Sequence, residues 1–351
     1  MSNISNLTKC SIDSFKLRIP LSLLDSYDNN IVRVIQEVDE DTGEIERIFK
    51  KTCKTYDFDC FKLTANIFRV KSIDCLILLV NSKQIQDKYF YGITLDTIKT
   101  IYQIATQSDL MQCSFETFMT ANCTDTDFKK DFPCVIDEYK QMIRGLNVMG
   151  KSTSKRGQGV RKQPNDLGIE FNSRVSASIS FPFVKVYHKQ IELEQQSFEF
   201  ADRYLSDIDY QDIIRIESTV KDKRHFKNLL PELKDTSLNS ILNLSTSQKD
   251  IIMADSFNRN LLPRTHNKVY KKEGMNQKDT YHLQILNILI NQNKYTPVEA
   301  INSIITTMDC KVAKSRLKRY LNKLYNDFIY QINYTEKTKN INTIYDLIGW
   351  K

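Results

Sequence analysis

The sequence predicts an α+β fold: a central, largely antiparallel sheet with flanking helices, followed by an α-helical C-terminal region. Short runs in the first half alternate polar and apolar residues, which is typical of half-buried strands. Residues 174–220 follow a strand–helix–strand order, with hairpin signals elsewhere in the chain. Beyond Ser237, apolar residues recur every three to four positions, as in helices. We therefore predict a sheet domain over residues 1–240 and a helical, basic region over residues 241–351.

The first half is expected to consist mainly of strands. Residues 10–21, CSIDSFKLRIPL, alternate up to Pro20, where an edge strand would end at a turn. The runs IVRVIQEV and EIERIFKKT flank DEDTG, a hairpin signal with Gly43 at the positive-φ position. The remaining predictions are a strand pair or one long strand at 66–80, a helix at 94–108 with Thr94 as a candidate cap, strand at 112–132 and a helix at 134–146.

The second half combines two predicted strands with several helices. Residues 147–168 contain four glycines and Pro164, which indicates a mobile loop. Strand signals follow at 174–188 and 213–220, and KQIELEQQSFEFADRYL between them predicts a helix. Three further helices are predicted at 279–295, 296–308 and 310–328. Three helices in this order fit either a helix-turn-helix module or a helical cap with a solvated lysine face.

Composition disfavours a zinc protein and a membrane protein. Among the 351 residues are eight cysteines, without a CxxC pair, and four histidines, so a Cys/His zinc site has little to build on. The N-terminal residues MSNISNLTKCSIDSF lack an apolar signal core, and no apolar run is long enough to span a bilayer. We therefore expect a protein with reduced thiols in a cytoplasm, without a membrane partner.

The charge is distributed unevenly along the chain. Its net value is +7, but residues 245–351 hold 17 Lys and Arg against 9 Asp and Glu, a net of +8, which leaves about −1 for the first 244 residues. Residues 144–162 contain six basic residues and no acidic one. Basic segments attract the phosphate backbone of nucleic acids through counterion release, although ordinary solvated surface is the alternative. The candidate DNA-binding residues are Lys155, Arg156, Arg161, Lys162, Lys223 and Arg224.

Tyr187 is the candidate nucleophile. It stands where a predicted strand ends and a helix begins, with Lys185, His188 and Lys189 as neighbours. A phenol that attacks a DNA phosphate needs cations close by, because they stabilise the phenolate and screen the diester. The chain has 17 tyrosines, so a half-buried sheet tyrosine is the ordinary alternative.

Two strands carry candidate carboxylates. In IIRIESTV, Arg215 and Glu217 share one face, as an ion pair or as a phosphate-binding guanidinium beside a metal ligand. In CTDTDFKKDF, Asp125 and Asp127 also share a face of the predicted strand. Two carboxylates so placed repel each other unless a cation lies between them, and Mg²⁺ or Mn²⁺ is a natural partner. A surface turn is the alternative.

Taken together, these segments resemble the gene-two-type replication proteins of filamentous phages, a family of rolling-circle replication initiators. The resemblance covers about the first 235 residues, and VYHKQIEL with the RIE-containing strand after it is the most specific part. The matching segments are SIDSFKLRIPL, LLVNSKQIQDKYFYGITLDTI, TDTDF, KSTSKR, VYHKQIEL and IIRIESTVKDKRHFKNLLPE.

The resemblance implies a relaxase- or Rep-like fold and a metal-dependent endonuclease that nicks one DNA strand. The family's nucleophile falls on Tyr187, which would form a 5′-phosphotyrosine and leave a free 3′-OH, while Lys189 and Arg215 would steady the phosphate. Its aspartate strand falls on Asp125, with Asp127 as a companion, and its Arg-x-Glu strand on Arg215 and Glu217. Glu192 matches a family glutamate of unsettled role.

The implied partners are origin DNA, single-stranded or supercoiled, and the helicase, polymerase and single-strand binding protein of a bacterial host. The chain lacks the His-hydrophobe-His metal pair of the wider relaxase and Rep superfamily, so Mg²⁺ or Mn²⁺ would rely on the carboxylates Asp125, Asp127 and Glu217. Two alternatives stay open: a non-catalytic DNA-binding regulator of replication or transcription, and a conjugative relaxase with the same chemistry at a transfer origin.

Overall fold

The structure is a computed structural model, and it confirms an α+β protein with a large antiparallel sheet, flanking helices and a helical C-terminal region. The predicted turn at Gly43 and the basic residues Lys155 and Arg156 lie outside the residues that the structure describes. No helix in the described part of the chain is long and apolar enough to cross a membrane. The described residues are 9–38, 45–151, 157–163, 168–261, 276–292, 295–306 and 310–333.

The chain divides into two compact units. Unit 1 comprises Met1–Lys129, Leu193–Asp209 and Val220–Lys249, and unit 2 comprises Lys130–Glu192, Tyr210–Thr219 and Asp250–Lys351. The boundary near residue 240 that the sequence suggested stays a prediction. Four elements begin in one unit and end in the other: β9 (Asn122–Pro133), α4 (Lys189–Gln196), β13 (Ile213–Val220) and α8 (Thr246–Asn260).

Unit 1 is built on long antiparallel strands in the order β5, β6, β7, β1, β9. The alternation of the first predicted strand is confirmed, because Phe15, Leu17 and Ile19 are buried and the strand ends at Pro20. Its predicted place at an edge of the sheet is wrong, because β7 and β9 pair with it on its two sides. The strands β2 with β8 and β3 with β4 form separate antiparallel pairs. The strands of this unit before β9 are β1 (Ser11–Pro20), β2 (Ser26–Tyr27), β3 (Arg33–Val38), β4 (Ile45–Lys51), β5 (Cys53–Phe58), β6 (Phe61–Val70), β7 (Ile73–Asn81) and β8 (Met111–Gln112).

Short helices complete unit 1. The 3-10 segment Ser82–Tyr91 begins with a capping box at Asn81 that the sequence prediction missed. The other 3-10 segments are Leu21–Leu23 and Asn29–Ile31. The α-helices are α1 (Ile98–Gln107), α2 (Phe115–Thr120), α5 (Phe198–Tyr204), α6 (Lys223–Leu229) and α7 (Leu238–Leu242).

Unit 2 carries its own part of the sheet, in the order β10, β11, β12, β13, β9. Helix α3 contacts β10 and β11, so it lies against this part of the sheet. The strands are β10 (Val160–Lys162), β11 (Gly168–Phe171), β12 (Val184–His188) and β13 (Ile213–Val220). The helices are α3 (Ile136–Met149), α9 (Gln277–Asn287), α10 (Pro297–Thr306) and α11 (Lys311–Asn333), with a π-helical turn at Ile288–Gln292.

Several sequence-based boundaries are wrong for local reasons. Residues 115–120, predicted as strand, form α2 because the Ser114 side chain accepts a hydrogen bond from the Thr117 backbone N–H. The first predicted helix begins at Ile98 and not beside Thr94, whose hydroxyl accepts from the Thr97 N–H. Three further differences are that the strand predicted at 174–188 is formed only by β12, the helix at 189–205 is two helices, and the loop at 147–168 includes β10.

Candidate active site

The candidate site lies on one face of β12 and β13 in unit 2. Their antiparallel register places Tyr187 opposite Arg215 and Lys185 opposite Glu217. Side chains alternate along a strand and directly paired residues share a face, so these four side chains project from the same face. On the neighbouring strand Gly168 lies opposite Tyr187, so its position adds no side chain beside the phenol.

The other face of β12 belongs to the hydrophobic core. Val184 and Val186 are fully buried there. His188 is buried as well and makes an edge-to-face contact with Tyr139 of α3, with ring centroids 5.5 Å apart. We expected His188 to supply a cation beside Tyr187, and this expectation is wrong, because neighbouring strand residues point to opposite faces.

The Tyr187 hydroxyl donates a hydrogen bond to a carboxylate. Its oxygen lies 2.5 Å from Oε1 of Glu217, which sits diagonally across on β13. A carboxylate at this distance is placed to accept the phenol proton, which is the requirement for a general base. The predicted tyrosine and the predicted glutamate are therefore brought together, although the expected contact of Glu217 was with a metal ion or Arg215.

Two ammonium groups flank the same phenol. The Lys189 Nζ lies 3.5 Å from the Tyr187 hydroxyl oxygen, and it also forms an ion pair of 2.5 Å with Glu192. The Lys185 Nζ lies 4.1 Å from the centre of the Tyr187 ring. Positive charge at these positions stabilises negative charge that develops on the phenol oxygen. Both lysines were expected beside Tyr187 from the sequence, and the contact with Glu192 gives that residue a definite neighbour.

Arg215 is held inside unit 2 by Asp131. Its Nε and Nη2 donate to the two carboxylate oxygens at 2.6 and 2.8 Å, and the side chains of the two residues are 0% and 1% exposed. Such a bidentate, desolvated pair fixes the guanidinium in one orientation. The structure therefore places Arg215 beside Tyr187 in the ladder, in contact with Asp131, and its contact with a DNA phosphate stays a prediction.

Asp125 and Asp127 lie in unit 1 on β9. Asp125 adopts a positive φ of 46° and accepts from the Lys16 Nζ at 2.5 Å. Asp127 accepts a hydrogen bond from the Ser14 hydroxyl. Ser14 and Lys16 stand two positions apart on β1, so both carboxylates face the same side of that strand. Lys16 supplies a positive charge at Asp125, and the Mg²⁺ or Mn²⁺ that we expected between the two carboxylates stays a prediction.

The described residues do not form a metal site from the predicted ligands. Within the described ranges, no group of three or more His, Cys, Asp or Glu side chains is placed to hold a metal ion. Each predicted ligand has a protein partner, which is Lys16 for Asp125, Ser14 for Asp127 and the Tyr187 hydroxyl for Glu217. Their carboxylate oxygens are the donors that Mg²⁺ prefers, but the assignment of these residues to a metal stays a prediction.

The predicted DNA-binding residues are described at four positions. Arg161 is exposed on β10 and, by the register with β11, shares the face of Glu170 and Lys185, whereas Lys162 points to the opposite face. Lys223 and Arg224 are exposed in the first turn of α6 in unit 1. Lys155 and Arg156 lie outside the described residues.

Sequence reasoning missed Asp131 and Lys16, the partners of two predicted residues. The sequence does contain a signal for Asp131, because charged residues stand between Phe128 and Phe132 in a predicted strand. The structure buries every residue from 126 to 132. Charges that a sheet core buries need partners, because their desolvation is costly. The identity of the partner depends on contacts between residues 84 positions apart, which a single sequence does not reveal.

Comparisons with protein-family models, with curated proteins and with solved structures found no match to this chain.

Proposed function

We propose that the chain is a DNA-nicking strand transferase that starts replication by joining Tyr187 to a DNA phosphate. The observation that carries this proposal is the hydrogen bond from the Tyr187 hydroxyl to Glu217, with the Lys185 and Lys189 ammonium groups beside the ring. A nucleophile, a base in contact with it and cations for the developing charge are the parts that phosphoryl transfer to a tyrosine requires. The resemblance to rolling-circle initiators supports the same residue.

The reaction would proceed by in-line displacement at the scissile phosphorus. The Tyr187 oxygen forms a bond to phosphorus while its proton passes to Glu217, and the bond from phosphorus to the 3′-oxygen breaks. The leaving 3′-oxygen takes up a proton from water and becomes the 3′-OH that a polymerase extends. The phosphotyrosine retains the energy of the diester, so the reverse transfer to a 3′-OH reseals the strand and returns the proton to Tyr187.

The surroundings of Tyr187 restrict how DNA can approach. Tyr187 is 4% exposed, whereas Lys185, Glu217 and Glu170 on the same face are half-buried. We therefore expect the phosphate to reach the phenol oxygen past Glu217 and Lys185, where the positive charge of Lys185 attracts it. Single-stranded DNA suits this approach, because an unpaired backbone can bend into a narrow opening.

Mg²⁺ or Mn²⁺ belongs to the proposal as a requirement and not as a described site. A divalent cation would polarise a phosphoryl oxygen, but the described carboxylates do not form a ligand set, so no step is assigned to it. Chelation should abolish nicking, and added Mg²⁺ or Mn²⁺ should restore it. Nicking that continues at full rate in a chelator would contradict the requirement and leave the role of Tyr187 intact.

The decisive experiment is identification of a DNA adduct on Tyr187. The purified chain is incubated with supercoiled plasmid or single-stranded phage-type DNA and Mn²⁺, and nicks and covalent adducts are measured. Proteolysis after Glu170 and Glu192 releases residues 171–192, a peptide in which Tyr187 is the only tyrosine. A nucleotide attached to this peptide supports the proposal.

The matched variants are Tyr187→Phe and Tyr204→Phe, since Tyr204 is half-buried in α5 and belongs to unit 1. We expect the first variant to lose nicking and adduct while binding DNA within a few-fold of wild type, and the second to keep all three. An adduct that survives Tyr187→Phe would remove Tyr187 from the mechanism.

A non-catalytic DNA-binding regulator is the second candidate. The observation that favours it is the low exposure of Tyr187, which together with the buried Arg215–Asp131 pair resembles an ordinary sheet interior. Under this alternative, wild type would bind DNA in a salt-dependent manner without nicking it at any Mg²⁺ or Mn²⁺ concentration.

A further inference from the structure

The last three helices form a module with its own core in unit 2. Helix α9 packs on α11, and α10 contacts both of them. A buried tyrosine, Tyr325 of α11, is fully enclosed in this core. The core residues are Leu283, Leu286, Ile290, Ala300, Ile301, Leu321, Leu324 and Tyr325. Because the buried face of α11 is satisfied within the module, its opposite face is available for another function.

The exposed face of α11 is strongly basic. Arg316, Arg319 and Lys323 are all exposed, and their spacing of three and four residues aligns them on one side of the helix, away from Leu321 and Leu324. Over its length α11 carries six basic residues and one acidic residue, Asp327. Counted over the described residues, none of these three cations forms an ion pair with a carboxylate.

The start of α11 is suited to reading a groove. The number of residues between Thr306, where α10 ends, and Lys311, where α11 begins, equals that of a helix-turn-helix turn, and 307–309 lie outside the described residues. Val312 is 59% exposed and Ser315 is exposed in the first turns of α11. In such motifs the early residues of the second helix contact base edges, where a small apolar side chain can meet a thymine methyl group.

We propose that α9, α10 and α11 form a duplex-DNA-binding module that places α11 in the major groove, with Arg316, Arg319 and Lys323 on the phosphates. The helix fits the groove, which is about 12 Å wide, and the three cations span about 10 Å along the helix axis. Proteins that bind single strands stack bases on exposed aromatic rings. Among residues 311–327 of α11, Tyr320 is half-buried and Tyr325 is buried, and the exposed ring of Tyr281 lies on α9 and not on the basic face of α11. Duplex DNA is therefore the partner whose chemistry this face matches.

This module goes beyond the proposed function, because it supplies recognition of double-stranded DNA and takes no part in strand transfer by Tyr187. The two claims can fail separately. Duplex binding is therefore measured on the Tyr187→Phe background, where no tyrosyl adduct at this position can consume the probe, and adduct formation is measured on chains with Tyr187 intact.

The test compares two triple variants of the full chain. In the first, Arg316, Arg319 and Lys323 are changed to Gln. In the matched control, three exposed lysines of unit 1 are changed to Gln: Lys62, Lys88 and Lys99. Fluorescence anisotropy with a labelled random-sequence duplex, and with the single strand of the same length, gives Kd over a range of salt concentrations. Far-UV circular dichroism and thermal melting establish that each variant is folded.

We expect the α11 variant to bind the duplex at least about tenfold more weakly at low salt. The magnitude of its slope of log K against log salt should fall by about 0.9 for each phosphate that the variant no longer neutralises. The unit 1 control should keep the wild-type slope, and single-strand binding by the α11 variant should change little. Arg319→Gln alone, with an expected decrease of about 0.9, replaces the triple variant if that variant melts early.

Two results would overturn the inference. If the α11 variant keeps the wild-type duplex Kd and salt slope, its basic face is solvated surface. If duplex and single-strand binding fall equally, the face attracts phosphate without selecting the duplex. An adduct on Tyr187 in either case would leave the proposed function standing.

Discussion

Exchange of Glu217 for Gln changes a carboxylate for an amide of nearly the same shape, beside the Tyr187 hydroxyl. The phenol oxygen lies 2.5 Å from Oε1 of Glu217, and a hydrogen bond to a charged acceptor contributes about 1.5–3 kcal/mol. The neutral amide can still accept a hydrogen bond, so we expect unfolding free energy to fall by no more than about 1 kcal/mol. The amide cannot, however, take up the phenol proton as the carboxylate can.

If Glu217 is the general base, single-turnover nicking should slow by about 10² to 10⁴-fold, which corresponds to about 2.7–5.4 kcal/mol of transition-state free energy. DNA binding should stay within a few-fold of wild type. The assay follows the rate of nicking at saturating DNA together with the melting temperature of the same preparation, so that loss of folded protein is not mistaken for loss of chemistry.

Glu170→Gln is the matched control for this experiment. Glu170 is half-buried on the same face, where it pairs with Lys185 in the ladder and not with Tyr187. We expect a change of less than about threefold in its nicking rate. Wild-type single-turnover nicking by Glu217→Gln would refute the reasoning, because the contact with Tyr187 would then serve structure alone.

Three further predictions concern stability and DNA binding. Asp131→Asn should lower unfolding free energy by about 3–5 kcal/mol in chemical denaturation, since it removes the carboxylate charge that the buried Arg215 guanidinium contacts. A decrease below about 1 kcal/mol would contradict this. Burial alone would raise the pKa of Asp28, but hydrogen bonds from Lys54, Tyr56 and Asn30 outweigh it and lower that pKa. Asp28→Asn should therefore cost about 1–2 kcal/mol at pH 7, and this difference should shrink as pH falls below about 4, because the carboxylate of the unfolded chain becomes protonated there while the folded one, with its lowered pKa, stays ionised. A difference that is independent of pH would count against it. Gln at all four basic loop positions should lower the salt slope by about 0.7–0.9 for each phosphate that is no longer neutralised, without slowing nicking at saturating DNA, and an unchanged slope would mark the loop as solvated surface. Those positions are Lys155, Arg156, Arg161 and Lys162.

Local rules predicted the regular parts of the fold. The alternation up to Pro20 predicted β1, and the period of three to four residues predicted α9, α10 and α11. The errors arose where a short side-chain cap competes with strand propensity. Residues 115–120 are rich in Phe and Thr, which favour strands, yet the hydroxyl of Ser114 begins a helix there.

The candidate site shows a different limit of sequence reasoning. Tyr187 and its two lysines lie within five residues of one another, so their neighbourhood is visible in the sequence. The partner of the hydroxyl is 30 residues away, and which carboxylate it meets depends on the register of β12 against β13. A shift of one residue would turn Glu217 to the opposite face, and no property of either strand alone fixes that register.

The buried ion pair of Arg215 and Asp131 raises the question why the face of the sheet that carries Tyr187 is polar. A buried ion pair seldom adds stability relative to apolar residues of similar volume, because both charges lose their hydration. The opposite face of β13, the strand that carries Arg215, has buried apolar residues at Ile214 and Ile216. Arg215 stands directly opposite Tyr187 in the ladder. Its fixed orientation also holds β13 in place, the strand on which Glu217 lies two positions further along. A requirement to hold Glu217 against the phenol explains the charged pair better than stability does.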